Sequence, residues 1–504
     1  MAEAAVLYQE LIDVLKQVAL LSSCANVLGW DEQTYLPPGG AEHRANQLSL
    51  LAGIIHERAT SPRIGEILTE LEQTGTFNAL DDHSANVREA RRSYDRAVKL
   101  PRRLVEELSR VTSLGQQAWV EARKHARFAD FLPWLEQIVA LKREQATALS
   151  RGNGPAYDAL LDEFEPGATT HSIAAVFEPL RKELVELAAE IRDSRRPPHD
   201  EILTRKYPVD RQKEFAIEAA KKIGFSFHDG RLDVAAHPFC SGMGPGDCRL
   251  TTRYDEHDLP QAFFGVLHEA GHGIYEQGLE HSAFGTPIGE TASLGIHESQ
   301  SRMWENFVGR SLPFWEYFYG PLKETFSESL GDVTLEQFYT AINTVQSSFI
   351  RVESDEVTYN LHIMLRFEME QQLISGHLPC RDVSEAWNDR FKHDFGLDVP
   401  NDAMGCLQDI HWSGGLIGYF PTYALGNMYA AQFFAHANRE LGDLSAMFRK
   451  GDFQPLKDWL NQKVHQPGKR YMPQELLFHV TGERLSPTPL IRHLTAKYSA
   501  LYGL

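Results

Sequence analysis

The sequence predicts a mainly α-helical protein with one small β element, and three observations lead there. Apolar residues recur every three to four positions along most of the chain. Gly and Pro interrupt that period only in short clusters of ordinary complexity. One stretch, 231–254, loses the helical period and gathers glycines at its centre.

The N-terminal segment shows the first helix. Leu7, Leu11, Val14, Leu15 and Val18 form a stripe, and Glu3, Glu10 and Asp13 sit among the apolar residues. This is an amphipathic helix and not a signal peptide, which needs a basic start and an unbroken apolar run. Further helices are expected at 86–100, 104–124, 132–149, 172–195 and 212–222. The breaks at 37–40, 152–155, 165–167 and 196–198 are too short for flexible linkers, so one domain over 1–504 is expected. No repeat of fixed period occurs. From 231 to 254 a β-hairpin or small sheet is expected, turning at Gly242-Met243-Gly244-Pro245-Gly246.

Bulk composition narrows the partners. Of 504 residues, 42% are hydrophobic and 24% charged, the balance of a soluble globular chain. A formal charge of −19, from 69 acidic against 50 basic residues, disfavours nucleic acid and anionic membrane as partners. No run reaches the ~18 apolar residues of a membrane span. The five cysteines (Cys24, Cys240, Cys248, Cys380 and Cys406) form no C-x-x-C pair. That argues for a reducing, cytoplasmic setting and against a disulfide framework or thiolate zinc site.

His268-Glu269-Ala270-Gly271-His272 fits H-E-x-x-H. Residues four apart on a helix point the same way, so both imidazoles can reach one ion, while Glu269 flanks it and can take a proton from a water there. Asp258 as cap and Pro260 in the first turn support a helix. Gly271 and Gly273 suggest close approach of a neighbouring element. Two satisfied helix histidines are the plain alternative in a chain with 21 histidines, so context has to decide. A catalytic zinc site needs a third protein ligand. The H-x-x-G-x-x-H extension is excluded by Tyr275 and Gly278. A carboxylate from a following helix remains. Glu298, 26 positions after His272 (298 − 272) on a helix capped by Thr291 or Ser293, is favoured over Glu276, Glu290 and Glu305.

These residues belong to an ordered set. His237-Pro238-Phe239 precedes a D-x-R-x-T pattern at Asp247, Arg249 and Thr251. H-E-x-x-H and His297-Glu298-Ser299-Gln300 follow, then Ile350-Arg351-Val352-Glu353-Ser354-Asp355, and last Gly405-Cys406-Leu407-Gln408-Asp409-Ile410-His411-Trp412. Together they resemble the carboxypeptidase Taq family of metallocarboxypeptidases over most of the chain, with Ser354 where Ala is usual. The resemblance implies a helical fold with a deep groove, related to angiotensin-converting enzyme and neurolysin. It also implies a homodimer, Zn2+ (with Co2+ as a possible substitute), Glu298 as the third ligand, and release of single residues from peptide C-termini with broad specificity.

A carboxypeptidase must bind a free α-carboxylate, which arginine does through paired hydrogen bonds. Arg351 and Arg249 are the candidates, although Arg351 and Asp355 could instead pair at i, i+4 on a helix. The strand 249–253 is the expected edge for an extended peptide. His237 is a further substrate-pocket candidate, and His297 a support for Glu298. His411 and Tyr423 are expected to stabilise the oxyanion, with Tyr419 as the substitute for Tyr423. The rival readings are an oligo- or endopeptidase of the same helical superfamily, and a non-catalytic peptide-binding relative.

Overall fold

Ala2–Thr34 (α1) opens the chain as one uninterrupted helix. In this computed structural model, which describes residues 2–74, 81–150, 152, 154–194 and 200–504, the N-terminal stripe packs as its spacing predicts. Leu11 is buried with Ile64, Ile67, Leu68 and Leu71 of the Pro62–Gln73 helix, and Leu7, Val14 and Leu15 pack at the margin. The helix runs past the predicted stripe because its second half stays apolar with few charges. The expectation of no membrane-length segment is therefore amended: Glu3–Thr34 is long and apolar enough to cross a membrane by length and composition, and little of it is buried.

The other expected helices are present as Asp82–Lys99, Arg102–Lys124, Phe128–Leu149, Thr170–Asp193 and Val209–Ile223. The fourth of them is capped: Thr169 accepts from Ser172 N, which starts it two residues before the apolar period does. The 196–198 break and Asn153 lie outside the described residues.

The contacts gather into two compact units. The first comprises Met1–Val98, His199–Ile342 and Phe433–Arg484. Its centre is an aromatic cluster in which Phe263 lies 5.2 Å from Trp315 and 5.5 Å from Phe215, and Phe314 stacks on Phe318 at 4.5 Å. The β element belongs here as three strands: β1 (Gly230–Val234), β2 (Phe239–Gly244) and β3 (Asp247–Thr252). Their order is β1-β3-β2, with β1 parallel and β2 antiparallel to β3. Gly244 and Gly246, at φ 139° and 79°, make the predicted turn between β2 and β3. The expected edge at 249–253 is corrected, because β1 pairs along the far side of β3 and makes it central. β2 is an edge strand instead, and α1 covers part of it: Ser23 donates to Met243 O and Asn26 to Gly242 O.

The second unit comprises Lys99–Pro198, Asn343–Gln432 and Leu485–Leu504. Tyr359–Ser375 runs through its core with nearly every residue buried, polar ones included. Such a helix shows no amphipathic period, which is why the sequence pattern did not mark it.

Candidate metal centre

The helix carrying H-E-x-x-H, Leu259–Gly278 (α2), starts as expected, with Asp258 accepting from Gln261 N at 3.1 Å and Pro260 in the first turn. Ser293, one of the two predicted caps, accepts from Ile296 N at 3.0 Å and starts Leu294–Arg302 (α3). The two helices meet backbone to backbone at Gly271, where a Cβ would lie 2.6 Å from both Gln300 O and Ser301 Cα. At Gly273 the neighbours are Phe225 and Leu250. The glycines are there to let these elements approach.

That approach brings Glu298 to the two histidines. Glu298 Oε2 lies 3.7 Å from His268 Nε2 and 3.5 Å from His272 Nε2, and one donor atom of each of the three residues falls within 4.8 Å of the others. Ligands at ~2.0–2.2 Å around a tetrahedral zinc-type ion stand ~3.4 Å apart. The observed spacing is close to that value and too long for direct hydrogen bonds, so two imidazole nitrogens and one carboxylate oxygen fit such an ion.

Neighbours fix these ligands. Glu305 Oε2 accepts from His268 Nδ1 at 2.9 Å, which leaves Nε2 as the metal-facing nitrogen. Arg302 Nε donates to Glu298 Oε1 at 2.7 Å and Nη1 to Glu305 at 3.3 Å. Glu298 therefore spends one oxygen on Arg302 and turns the other, which also accepts from Ser301 at 3.1 Å, to the histidines. Sequence reasoning weighed Glu305 only as a rival ligand and missed Arg302. After α3 the helix widens to a π-helix over Met303–Gly309, which sets where Glu305 points, and no sequence period announces that widening. His297 supports His272 rather than Glu298: its ring stacks on His272 at 4.4 Å and its Nε2 meets Glu276 Oε1 at 2.8 Å. Glu276 is thereby engaged with His297, away from His268 and Glu298.

Glu269 is 6% exposed. Burial raises its carboxyl to about 7, with His268 opposing and Glu298 adding to the rise. Burial likewise holds His272 down to about 3, so its imidazole is neutral and available as a ligand. Glu298 stays charged against burial because Arg302 and His268 pull its carboxyl well below the usual range.

Arg249 does not join this group. Successive strand residues face opposite sides, and Cys248 and Leu250 face α2. Arg249 therefore points away, paired with Asp247 at 2.7 Å and stacked on Trp30 at 4.3 Å. His237 is exposed just ahead of β2, and its carbonyl accepts from Thr251.

The second unit holds the remaining candidates. Arg351–Glu353 is a single 3-10 turn, not the expected helix, and Asp355 reaches forward to accept from Val357 N and Thr358 N at 2.9 Å. Arg351 pairs instead with Asp409, at 2.8 Å from Nη2 and 3.1 Å from Nε, and its Nη1 donates to Tyr359 at 3.0 Å. A second arginine, Arg366, shares Asp409 at 2.7 Å. His411 Nε2 lies 3.2 Å from Tyr423 OH, so the pair chosen from the motif is in contact, while Tyr419 meets His411 ring to ring at 5.5 Å. Burial holds His411 down to about 4, with Asp409 opposing and Arg351 adding, which leaves it neutral near pH 7. Buried Glu370 accepts from Tyr157, Trp412 and Gly418 N at 2.6, 2.9 and 2.9 Å, fixing the segment that carries His411. Asp409, Arg366 and Glu370 were absent from the predicted site. Asp409 stood inside the G-x-x-Q-D-x-H-W motif, which was its available signal.

The profile of the carboxypeptidase Taq (M32) metallopeptidases matches residues 10–498. Thermostable carboxypeptidase 1 of Thermus thermophilus is 46% identical, over 98% of this chain and 99% of its own. Carboxypeptidase 1 of Bacillus subtilis is 38% identical over 98% and 99%. The crystal structure of an M32 carboxypeptidase from Deinococcus radiodurans superposes with a TM-score of 0.94 at 38% identity, covering 99% of this chain and all of that one (100%).

Proposed function

The chain belongs to the carboxypeptidase Taq (M32) family and is a metal-dependent carboxypeptidase, and from that premise we propose how its residues divide the work. Zinc, replaceable by cobalt, is held by His268, His272 and Glu298. The enzyme releases single residues from peptide C-termini with broad side-chain tolerance. One observation carries the metal assignment: His268, His272 and Glu298 converge at ion-sharing distances beside the buried carboxyl of Glu269.

When bound, the ion supplies a Lewis acid that acidifies a water and polarises the scissile carbonyl. Glu269 takes the proton of the attacking water and passes it to the leaving amine, a role that suits a buried carboxyl next to the ligand His268. His411 and Tyr423 donate to the oxyanion. The free edge of β2 ahead of Gly242 pairs with the extended substrate, and His237 lies at its start. Arg351 receives the substrate's α-carboxylate. In its support, each Nη keeps one N–H that meets no acceptor among the described residues. Homodimerisation and a cytoplasmic location complete the reading. The location is supported by five cysteines that form no disulfide.

Blocked dipeptides with free and amidated C-termini, assayed with and without metal, test it. Hydrolysis should require the free acid, stop with chelator, and return with Zn2+ or Co2+. Arg351 keeps Asp409 as a partner when the substrate carboxylate is absent, so amidation removes charge-assisted hydrogen bonds worth about 1.5–3 kcal/mol and should lower kcat/KM by roughly 10- to 150-fold. Arg351→Ala should erase that preference and Arg249→Ala should keep it. Efficient internal cleavage of a C-terminally blocked peptide would overturn the exopeptidase assignment in favour of an oligopeptidase.

A further inference from the structure

Cys240 on β2 and Cys248 on β3 carry their sulfurs 3.6 Å apart, and nothing in the chemistry above uses them. Both are free thiols, Cys248 buried and Cys240 partly exposed. Cys248 Sγ lies 4.0 Å from Gly273 O, which puts the pair on the sheet face that packs on α2. In the strand register Cys240 opposes Leu250, and Gly242 opposes Cys248. The cysteines are therefore diagonal partners. Diagonal Cα atoms stand ~7–8 Å apart, whereas a disulfide needs ~4.4–6.8 Å. The strands thus hold two thiols side by side and oppose their closure into a cystine.

The observed separation suits two sulfurs bonded to one shared atom. Bonds of ~2.3 Å at the ~100° angle of a pyramidal trivalent centre put the sulfurs ~3.5 Å apart. Access is provided by a cavity of about 520 Å³ that has Cys248 on its wall, along with Leu15, Ser22, Met243, Glu276 and Phe284. Contact with Cys248, burial and the charges of Glu276 and Glu269 hold the Cys240 thiol well above its usual range.

We propose that Cys240 and Cys248 form a dithiol site for a trivalent arsenical that enters through this cavity. An arsenous group R–As(OH)2 condenses with both thiols. Two As–S bonds form, two As–O and two S–H bonds break, and two waters leave. Arsenic stays trivalent, so no oxidant or reductant is required. The adduct lies beside Glu276, which holds His297 against His272, so occupancy also lowers peptide hydrolysis.

Phenylarsine oxide added to the metal-loaded enzyme tests this. One phenylarsenic group should appear per chain, on the single tryptic peptide 232–249 that contains both cysteines, with loss of two of the five titratable thiols. A dithiol such as 2,3-dimercaptopropanol should remove it and a monothiol should not. Cys240→Ser and Cys248→Ser, checked for native circular dichroism, should each abolish it, and turnover should fall in step with the adduct. Absence of an adduct on 232–249, its persistence in either variant, or its release by monothiol would overturn the site. An adduct that left turnover unchanged would overturn its coupling to the metal centre. Mass and thiol readouts do not depend on the peptidase assignment, so failure of one reading is distinguishable from failure of the other.

Discussion

Glu298 is buried and Glu305 partly buried, both lie within reach of His268, and the nitrogen each one meets separates their roles. Glu298 faces Nε2 at 3.7 Å, the distance of a co-ligand, and Glu305 hydrogen-bonds Nδ1 at 2.9 Å, the contact of a ligand's support. Glu269 is a third acid, without a ligand's position. Three substitutions should therefore give three signatures. Glu298→Ala should lose the metal on dialysis. Glu305→Gln should retain the fold and weaken metal affinity about 10- to 100-fold in a chelator competition. Glu269→Gln should keep full metal by elemental analysis while kcat drops by about 10² or more. If Glu305→Gln stripped the metal and Glu298→Ala did not, the two acids would have to exchange roles. At this scale the candidate ligands were legible because H-E-x-x-H and H-E-S-Q are local patterns. Arg302 and Asp409 were not singled out, since a charge that steadies another charge has no spacing of its own.

At the scale of elements, the metal centre rests on how closely α2 and α3 approach. Gly271 lies at their contact, and a Cβ there would fall 2.6 Å from backbone atoms that have no rotamer with which to yield. Gly271→Ala should destabilise by about 1–3 kcal/mol through overpacking and should weaken metal binding as Glu298 moves away. Gly53 is the control. It sits inside the Ala41–Ala59 helix with nothing within 4 Å of its added Cβ, so Gly53→Ala should stabilise by about 0.5–1 kcal/mol. Thermal unfolding with and without chelator compares the two, and a Gly271→Ala variant as stable and metal-loaded as the parent would remove the close-approach argument. Helices were readable here from their period and caps, Asp258 and Ser293 included. The place of β3 was not. A strand's own residues reveal alternation, but whether it is central depends on the partner that pairs along its far side, here β1.

At the scale of the whole molecule, stability against pH should carry the mark of Glu370. Burial raises this carboxyl to about 7, against hydrogen bonds from Tyr157, Gly418 N and Trp412 that favour its charged form. In the unfolded chain it ionises near its ordinary value of 4.5. Between pH 4.5 and 7 the folded state therefore holds the extra proton, and stability falls as pH rises through that window. Below it the group costs nothing, and above it the cost is complete, at about 3 kcal/mol. Urea midpoints at intervals from pH 4.5 to 8 should show this decline in the native protein. Glu370→Gln should be less stable at low pH, because its amide N–H2 would face the donors that the carboxyl now accepts from. It should also lack the decline between pH 4.5 and 7. An unchanged slope in that variant would assign the pH dependence to other groups.

By itself the sequence determined the helical class, the amphipathic N-terminal helix and the position of the small β element, and it singled out the histidines and carboxylates of the candidate metal centre. Each of these is written within a few turns of chain, as a period, a cap, a glycine turn or a motif. Tertiary structure alone decided that Glu305 and Arg302 hold the ligands, that Arg249 faces away from α2, and that Arg351 pairs with Asp409 rather than Asp355. It also decided that Cys240 and Cys248 meet across two strands. The reason is the same in every case. These contacts join residues through the widening of a helix, the register of a sheet or the packing of distant segments, and one-dimensional spacing does not encode which of several compatible partners a side chain will meet.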